Sequence, residues 1–392
     1  MSPRHEVEIA VVGGGMVGAA LAAQLAADGF EVALVEPRPP AAPRDDRTDL
    51  RVSAIAPGSR QLLERLGAWP ALAAHATAYR AMQVWDGTGG GHVRFAADEI
   101  GADDLGHIVE NGRVQHALWE RLRAAPRVRL LAPARVAGLL LTRATAQLEL
   151  DPGGLLHARL VVAADGARSQ VRGWAGLHSV GWDYGQKTLV ANLRTAEDPA
   201  ATCWQRFLPT GPVAFLPLAA GRSSLAWHAT TGLADRLLAL DDAAFRAELE
   251  VASGGVLGAI EELGPRAAFP LRLQHALRYH GRRVVLVGDA AHAIHPLAGQ
   301  GVNLGFRDAV ALAAELATAR AAGAEPGDPA ALDRYQALRQ PDNAAMLLAM
   351  DAFKRGFGNA NAAARSLRNL GLDLADRAGG FKQALMRRAL GG

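Results

Sequence analysis

Two glycine-rich segments hold the residues whose types and spacing could do chemistry, and the first is suited to a phosphate. Gly13-Gly14-Gly15-Met16-Val17-Gly18 follows the β-branched run Val7 to Val12 and precedes helix-forming residues that end at Gly29. One glycine of such a turn permits the tight bend, one lets the backbone approach a pyrophosphate, and one lets helix and strand pack closely. The helix amides would then face the phosphates. We predict a nucleotide-binding turn, the alternative being a turn that serves packing alone.

Two charged residues farther along the chain fit the same site. Glu36 ends the next predicted strand and lies 18 residues beyond Gly18, close to the ~20-residue offset at which an acid meets a ribose hydroxyl. Arg51 follows a loop rich in proline and charge at residues 37–48. An arginine can bind a pyrophosphate through two hydrogen bonds, but arginines in such stretches are often only solvated. Spacing alone does not decide between these roles for Arg51.

The second glycine-rich segment places a carboxylate at the end of a strand. Gly288-Asp289-Ala290-Ala291-His292 follows the apolar run Val284 to Val287 and leads through small residues to Asn303. A nicotinamide dehydrogenase needs only the first segment, whereas a flavin enzyme must also hold a ribityl chain and an isoalloxazine ring. The two segments together predict bound FAD. A third acid, Asp165, ends the run Leu160 to Ala164, either at a ligand site or as the cap of a turn.

Length and composition limit the classes of protein. A chain of 392 residues exceeds the usual size of a single core, so we expect two domains and an appendage. A formal net charge of +3 and 50% apolar residues favour a globular enzyme over a nucleic-acid binder. Cys203 is the only cysteine, so no intramolecular disulfide can form. The sequence predicts no membrane span and no export signal, hence a cytoplasmic protein.

The order of strand-like and helix-like segments predicts an α/β fold. We expect a Rossmann-like FAD-binding domain of the glutathione-reductase type, formed by residues 1–80, 105–175 and 270–330. Short runs separated by Pro and Gly turns predict an inserted antiparallel β-sheet domain at residues 81–104 and 176–269, which would cover the substrate. Residues 331–392 should form C-terminal helices.

The three motifs, in this order and at these separations, resemble the single-component flavin aromatic hydroxylases typified by p-hydroxybenzoate hydroxylase, which are class A flavin monooxygenases. The run from Gly288 to Gly305 is similar to the branch that hydroxylates polyprenyl phenols in ubiquinone biosynthesis. Trp204-Gln205-Arg206-Phe207 and Leu216-Pro217-Leu218 also look like that branch. The resemblance covers nearly the whole chain, and Ile294 to Asn303 is its most diagnostic part.

The resemblance implies which residues hold FAD. They are Gly13, Gly14, Gly15, Met16, Val17, Gly18, Glu36, Arg51, Gln115, Val136, Asp165, Gly166, Arg168, Gly288, Asp289, Pro296, Gly299, Gln300, Gly301, Val302 and Asn303. Among these, Asp289 would accept hydrogen bonds from ribityl hydroxyls. The amides of residues 299–303 would face flavin N1 and the C2 carbonyl, where the reduced ring carries negative charge and a helix N-terminus supplies about half a positive charge.

The chemistry that the resemblance implies uses NAD(P)H as the reductant and O2 as the cosubstrate. Hydride reduces the flavin, dioxygen adds at C4a, and the resulting hydroperoxide transfers oxygen to an electron-rich ring, while the protein positions the ring and excludes water. His292, His295 and Pro296 are the candidate catalytic residues, although both histidines could simply bind backbone. A metal site formed by His292, His295 and Asp289 is the weaker interpretation, so we expect no metal. Trp227 and His228 could line the substrate cavity or belong to the core.

The C-terminal segment is basic and amphipathic. Residues 353–392 contain eight Lys or Arg and two Asp, interleaved with leucines. Such a face could bind anionic lipid at the inner face of the membrane or partner proteins of ubiquinone biosynthesis, which would bring the enzyme to a polyprenyl phenol. The alternative is a solvated helical surface whose leucines pack on the body of the protein.

Overall fold

The computed structural model describes residues 4–44, 48–294 and 301–358, together with residues 380, 382, 383, 386 and 387. The α-helices in this part are α1 (Met16–Ala27), α2 (Pro57–Arg65), α3 (Pro70–Ala73), α4 (Asn111–Ala124), α5 (Gln170–Trp174), α6 (Thr231–Ala239), α7 (Asp242–Ser253), α8 (Gly301–Ala321) and α9 (Pro329–Gly358). None of them combines the length and apolar character that crossing a bilayer requires.

The strands in the described part form three sheets. They are β1 (Arg4–Val12), β2 (Val32–Val35), β3 (Val52–Ile55), β4 (Thr77–Tyr79), β5 (Ala81–Asp86), β6 (His92–Ala96), β7 (Gly106–Glu110), β8 (Val128–Leu131), β9 (Arg135–Leu141), β10 (Ala146–Asp151), β11 (Leu155–Ala163), β12 (Ser179–Thr195), β13 (Thr202–Leu208), β14 (Gly211–Leu218), β15 (Arg222–Thr230), β16 (Ile260–Ala276), β17 (His280–Gly281), β18 (Val284–Leu286) and β19 (His292–Ala293).

The first sheet carries the predicted nucleotide-binding turn. Its strands β18, β11, β1, β2 and β8 are parallel neighbours in that order. Val12 at the end of β1 lies between Val35 of β2 and Ala163 of β11, and Ala163 is in turn paired with Leu286 of β18. The turns after these four strands are therefore adjacent at one edge of the sheet, where open α/β sheets bind ligands.

Buried aliphatic residues explain why these strands sit at the centre of the molecule. β2 is Val-Ala-Leu-Val and all four of its residues are buried, as a strand covered on both faces requires. The sheet packs against α1 and α4, and α8 packs on α1, in the largest hydrophobic core of the described residues, which also contains Trp119 and Phe306.

The second sheet follows the order β19-β16-β12-β15-β14-β13-β5-β6. One face of β12 and β15 packs against α6 and α7 in a separate core that includes Trp227 and Phe245. Because side chains alternate along a strand, the other face of these two strands is directed toward the first domain. The sheet is antiparallel as predicted except for the pair β13 and β5, which is parallel.

The predicted architecture of a Rossmann-like domain with an inserted sheet is the one observed. β16 runs without a break through residue 270, where the predicted boundary between the two domains falls. Its segment after Leu271 pairs with the N-terminal half of β12, so both strands extend from the second sheet toward the first. α6 and α7, which the sequence analysis does not predict, cover the second sheet.

Candidate functional site

A cavity of about 660 Å³ lies where the motif turns of the first sheet meet the inner face of the second. Its size is within the range of about 300–1,000 Å³ that is usual for small-molecule and cofactor sites. The predicted cofactor residues that line it are Gly15, Met16, Val17, Gly18, Arg51, Gly166, Arg168, Gly288, Asp289, Gly301 and Val302. All three sequence motifs therefore meet at a single cavity.

The glycines of the first turn have two different roles: Gly13 and Gly18 are required by the backbone, and Gly15 faces the cavity. Gly13 has a φ of +108°, and a Cβ there would lie 2.3 Å from the carbonyl oxygen of Ala164. A Cβ on Gly18 would lie 2.0 Å from the carbonyl oxygen of Gly13. A Cβ on Gly15 would meet no atom within 4 Å, because it would extend into the cavity. Gly13 and Gly18 permit the turn, and Gly15 leaves space above it.

Two helix N-termini are directed at the cavity. α1 begins after Gly15 without a side-chain cap, and α8 begins at Gly301. The two helices pack closely, since a Cβ on Gly305 would lie 2.5 Å from Cγ2 of Val17. Each N-terminus contributes unpaired amides and about half a positive charge, which suits anionic groups of a bound ligand.

Asp289 provides the carboxylate of the site. Its side chain is exposed because it faces the cavity, yet the surrounding protein removes much of its contact with bulk water. This desolvation raises the pKa of Asp289, and His292 and Arg51 oppose the rise electrostatically. A carboxylate held in this way is suited to accept hydrogen bonds from hydroxyl groups of a ligand.

Glu36 and Gln115 hold the glycine turn from behind. Oε2 of Glu36 accepts a hydrogen bond from the amide of Gly14 at 2.6 Å. The Gly14 carbonyl accepts hydrogen bonds from Nε2 of Gln115 at 2.7 Å and from Nε1 of Trp119 at 2.8 Å. Neither Glu36 nor Gln115 lines the cavity, and Val136 is buried in the main core. The sequence analysis did not single out Trp119, since its contact with Gly14 spans 105 residues.

The turn after β11 serves two purposes. Oδ2 of Asp165 accepts hydrogen bonds from the amides of Gln170 and Val171, so this carboxylate caps α5. Gly166 and Arg168 line the cavity. Arg172, which the sequence analysis did not identify, donates hydrogen bonds to the carbonyls of Ala167 and Ala290 and thereby links two motif turns.

His292 lies in a buried polar network behind the cavity. Its side chain is 2% exposed, and Nε2 contacts Oδ2 of Asp308 at 2.5 Å. Oδ1 of Asp308 accepts hydrogen bonds from Nε of Arg339 at 2.9 Å and from Nδ2 of Asn343 at 3.1 Å. The side chain of His292 thus holds Asp308 and does not line the cavity. Its candidate catalytic role stays a prediction.

Asn303 is a predicted flavin contact through its backbone amide, and its side chain does not line the cavity. Its Oδ1 accepts a hydrogen bond from the amide of Ala56 at 3.0 Å, and its Nδ2 donates one to the carbonyl of Ala54 at 2.8 Å. The side chain therefore ties α8 to the end of β3. The remaining predicted residues, His295, Pro296, Gly299 and Gln300, lie outside the described residues.

Two of the three candidate metal ligands, Asp289 and His292, lie in the described part of the chain. Among the residues that the structure describes, no three His, Cys, Asp or Glu side chains are grouped to hold a metal ion.

Most of residues 353–392, the basic C-terminal segment, lie outside the described part of the chain. Lys382 is buried, pairs with Glu99 at 2.8 Å and lies over the ring of Phe95, so this lysine packs on the protein.

The residues present fit FAD. The open space above Gly15, the two helix N-termini and Arg51 suit a pyrophosphate, and the cavity-facing carboxylate of Asp289 suits a polyol. The inner face of the second sheet supplies an apolar wall for a ring.

Comparison with known proteins agrees with this chemistry. The family described as FAD binding domain matches residues 6–349. The 3-demethoxyubiquinol 3-hydroxylase of Escherichia coli is 43% identical over 98% of this chain and 98% of its own length. The ubiquinone hydroxylase UbiL of Rhodospirillum rubrum is 40% identical over 98% of this chain and 89% of its own. The mitochondrial ubiquinone biosynthesis monooxygenase COQ6 of Mus musculus is 35% identical over 97% and 90%.

Solved structures show the same fold. The p-nitrophenol 4-monooxygenase PnpA of Pseudomonas putida has a TM-score of 0.81 at 22% identity, with 99% of both chains covered. PqsL, a probable FAD-dependent monooxygenase of Pseudomonas aeruginosa, has a TM-score of 0.76 at 24% identity, with 94% of this chain and 99% of its own covered. Together with the identities above, these matches show that the chain belongs to the FAD-dependent hydroxylases of ubiquinone biosynthesis, within the class A flavin monooxygenases.

Proposed function

We propose that this protein hydroxylates the aromatic ring of a polyprenyl phenol or benzoquinol in ubiquinone biosynthesis, with NAD(P)H as the reductant and O2 as the cosubstrate. The observation that carries the proposal is the 43% identity to a 3-demethoxyubiquinol 3-hydroxylase along 98% of both chains. The cavity also supports the proposal, because the residues that suit FAD, among them Gly15, Arg51 and Asp289 (the cofactor cradle), face an apolar wall formed by the second sheet.

Each residue of the cofactor cradle would bind a different part of FAD. Gly15 leaves room for the pyrophosphate, and the first amides of α1 together with the guanidinium of Arg51 bind its charge. The carboxylate of Asp289 accepts hydrogen bonds from the ribityl chain. Glu36, which directly follows β2, would bind the adenosine ribose, and the hydrogen bond from the Gly14 amide holds this carboxylate beside the glycine turn.

The second sheet positions the ring and excludes water. A bound FAD would supply the redox chemistry that brings one oxygen atom of dioxygen into the ring, with NAD(P)H as the reductant. Val190, Leu216 and Leu271 present apolar surface to the cavity. A wall of this kind keeps water from the reacting atoms and orients a flat, apolar substrate beside the cofactor. Gly301 and Val302, the first residues of α8, line the cavity, and their amides would stabilise negative charge on the reduced cofactor.

The substrate class also bears on where the protein works. A polyprenyl phenol resides in the bilayer, so we infer that the enzyme acts as a peripheral protein at the inner face of a membrane. Basic residues of the segment 353–392 other than Lys382 are the candidates for this contact. Sedimentation with anionic vesicles tests the inference: a variant that ends at residue 352 should bind fewer vesicles than the full chain, and equal binding would contradict it.

Turnover with isotopic oxygen tests the activity. Purified FAD-loaded protein is supplied with NAD(P)H, a short-chain prenylphenol and labelled dioxygen, and the products are analysed by mass spectrometry. We expect one labelled oxygen atom on the aromatic ring and reductant oxidation that is stimulated by the phenol. Oxidation of NAD(P)H that yields only hydrogen peroxide with every prenylphenol tried would overturn the proposal.

A further inference from the structure

A histidine and a threonine form a polar pair in the wall of the cavity opposite the cofactor cradle. Thr188 of β12 and His228 of β15 are directly paired across the two strands. Oγ1 of Thr188 lies 3.0 Å from Nδ1 of His228. Both residues line the cavity, and both are buried with respect to the outer surface, at 8% and 3% exposure.

The alternation of side chains explains why the pair faces inward. Val190 and Ala226, two residues away on the same strands, also line the cavity. Trp227, next to His228, points the other way and is buried in the core beneath α6 and α7. Of the two candidates that the sequence left open, His228 therefore belongs to the cavity and Trp227 to the core.

The surroundings of the pair are mostly apolar, with Ser224 as a further polar side chain of the same strands. The other described residues of β12, β14 and β15 that line the cavity are Val190, Leu216, Ser224, Leu225 and Ala226. The charged lining residues Arg51, Arg168 and Asp289 come from the first domain, and Arg272 comes from β16. A polar group in an apolar wall is costly to bury unless it is hydrogen-bonded, so a wall of this composition gains specificity for a ligand that carries a matching polar atom.

We propose that the His228–Thr188 pair hydrogen-bonds the ring hydroxyl of the substrate and so fixes which ring carbon faces the cofactor. The inference rests on the proposed function and extends it to a binding contact. The hydrogen bond to Thr188 orients the imidazole, whose two nitrogens lie on different edges of the ring. A phenol oxygen can both donate and accept, so it satisfies either tautomer of His228. A mostly apolar wall with such an anchor recognises a prenylated phenol by its hydroxyl and leaves the tail to apolar surface.

Two ligands that differ by one oxygen atom test the inference. The dissociation constants of 2-geranylphenol and geranylbenzene are measured on the FAD-loaded protein from the change in the flavin absorbance spectrum. We expect the wild-type protein to bind the phenol more tightly. His228→Leu should weaken binding of 2-geranylphenol by roughly 3- to 10-fold, the usual effect of losing one hydrogen bond, and change binding of geranylbenzene less than about twofold.

Further variants separate a contact from a structural effect. Thr188→Val keeps the shape of the side chain and should reduce the preference for the phenol, whereas His228→Gln keeps a polar atom and should restore part of it. Ser223→Ala is the matched control, because Ser223 is fully buried on the same strand and lies on its opposite face. It should leave both dissociation constants unchanged. FAD content and circular dichroism show that each variant is folded.

The outcomes distinguish this inference from the proposed function. Equal weakening of both ligands by His228→Leu and Thr188→Val would mean that the pair only shapes the wall, and no weakening would mean that the hydroxyl binds elsewhere. Either result overturns the inference while the proposed function stands. A wild-type protein that binds neither ligand would contradict the proposed substrate class and the inference together.

Discussion

Oδ2 of Asp308 accepts a hydrogen bond from the backbone amide of Gly288 at 3.0 Å, although the two residues belong to different elements. The same oxygen contacts His292, and Arg339 of α9 binds the other oxygen. Burial by itself would raise the pKa of Asp308, but the cationic and hydrogen-bonding partners outweigh it and lower that pKa. A charged Asp308 thus anchors the turn that carries Asp289 to the two long C-terminal helices.

Replacement of Asp308 should therefore affect both stability and cofactor retention. Asp308→Asn removes the buried charge that Arg339 and His292 bind and leaves Arg339 paired with Asp342 alone among the described carboxylates. We therefore expect the free energy of unfolding to fall by about 3 kcal/mol. The turn at Gly288 also loses its anchor, and FAD should dissociate faster. Urea denaturation and the recovery of flavin fluorescence measure the two effects.

Glu315→Gln is the matched control for this prediction. Glu315 lies on the same helix as Asp308, and its partner Arg334 lies on the same helix as Arg339. This second ion pair is more exposed to solvent, so its loss should cost less than about 1 kcal/mol. If the two variants lose equal stability, the buried network has no special role.

The sequence predicts the strands that are rich in β-branched residues, and it predicts the glycine turns that follow them. β1 and β18 contain β-branched runs that lead into Gly13 and Gly288, and the spacing of the motifs indicates that they share a site. β16 could not be predicted, because it contains Gly264, Pro265 and Pro270 and has no regular alternation of burial. It persists as a strand since β12 pairs with it along its length.

The network around Asp308 shows what local patterns omit. Asp308 stands out in the sequence as an acid among apolar residues of a helix, which is a signal of burial with a partner. Its partners Arg339 and Asn343 lie 31 and 35 residues away, so only the packing of α8 on α9 identifies them. The His228–Thr188 pair likewise becomes visible only once the register of β12 and β15 is known.

Two glycines of the first turn should respond differently to alanine. Gly15 has a φ of −65° and open space beside it, so Gly15→Ala should change the stability of the FAD-free protein by less than about 1 kcal/mol. The added methyl group occupies the proposed pyrophosphate site, and FAD affinity should fall at least about tenfold. Gly18→Ala forces a Cβ against the Gly13 carbonyl and should cost about 3 kcal/mol or more without FAD. Thermal unfolding and FAD titration test both, and equal stability loss in the two variants would contradict the assignment.

Asp289 should lower the free energy of unfolding of the FAD-free protein and raise its affinity for FAD. Its pKa is raised in the folded protein, so the folded state binds protons more tightly than the unfolded state, and stability falls as the pH rises through that pKa. The FAD-free Asp289→Asn variant should be at least as stable as the wild type at neutral pH, and this advantage should shrink as the pH falls. The same variant should bind FAD about 10- to 100-fold more weakly, since a charged hydrogen-bond acceptor is lost. Denaturation from neutral pH down to about pH 4, the ordinary pKa of an aspartate, measures the first effect. A variant that is less stable than the wild type at neutral pH would contradict this reasoning.

Cys203 should report unfolding. It is the only cysteine, its side chain is buried, and burial raises the pKa of its thiol well above the usual range. Because the thiolate is the reactive form, a thiol reagent such as 5,5′-dithiobis(2-nitrobenzoate) should react only when the chain opens. The rate of modification should follow the unfolding rate across urea concentrations. Rapid, complete modification of the folded protein would show that this part of the second sheet is accessible.

The FAD content of the purified, reconstituted protein tests the central claim most directly, since every assigned role depends on three turns that bind one cofactor. Absorbance of the flavin released by denaturation, divided by the protein concentration, gives the stoichiometry. The account predicts one FAD per chain, with at most a small fraction retained by Gly15→Ala. A colourless protein that takes up no FAD during reconstitution would contradict it.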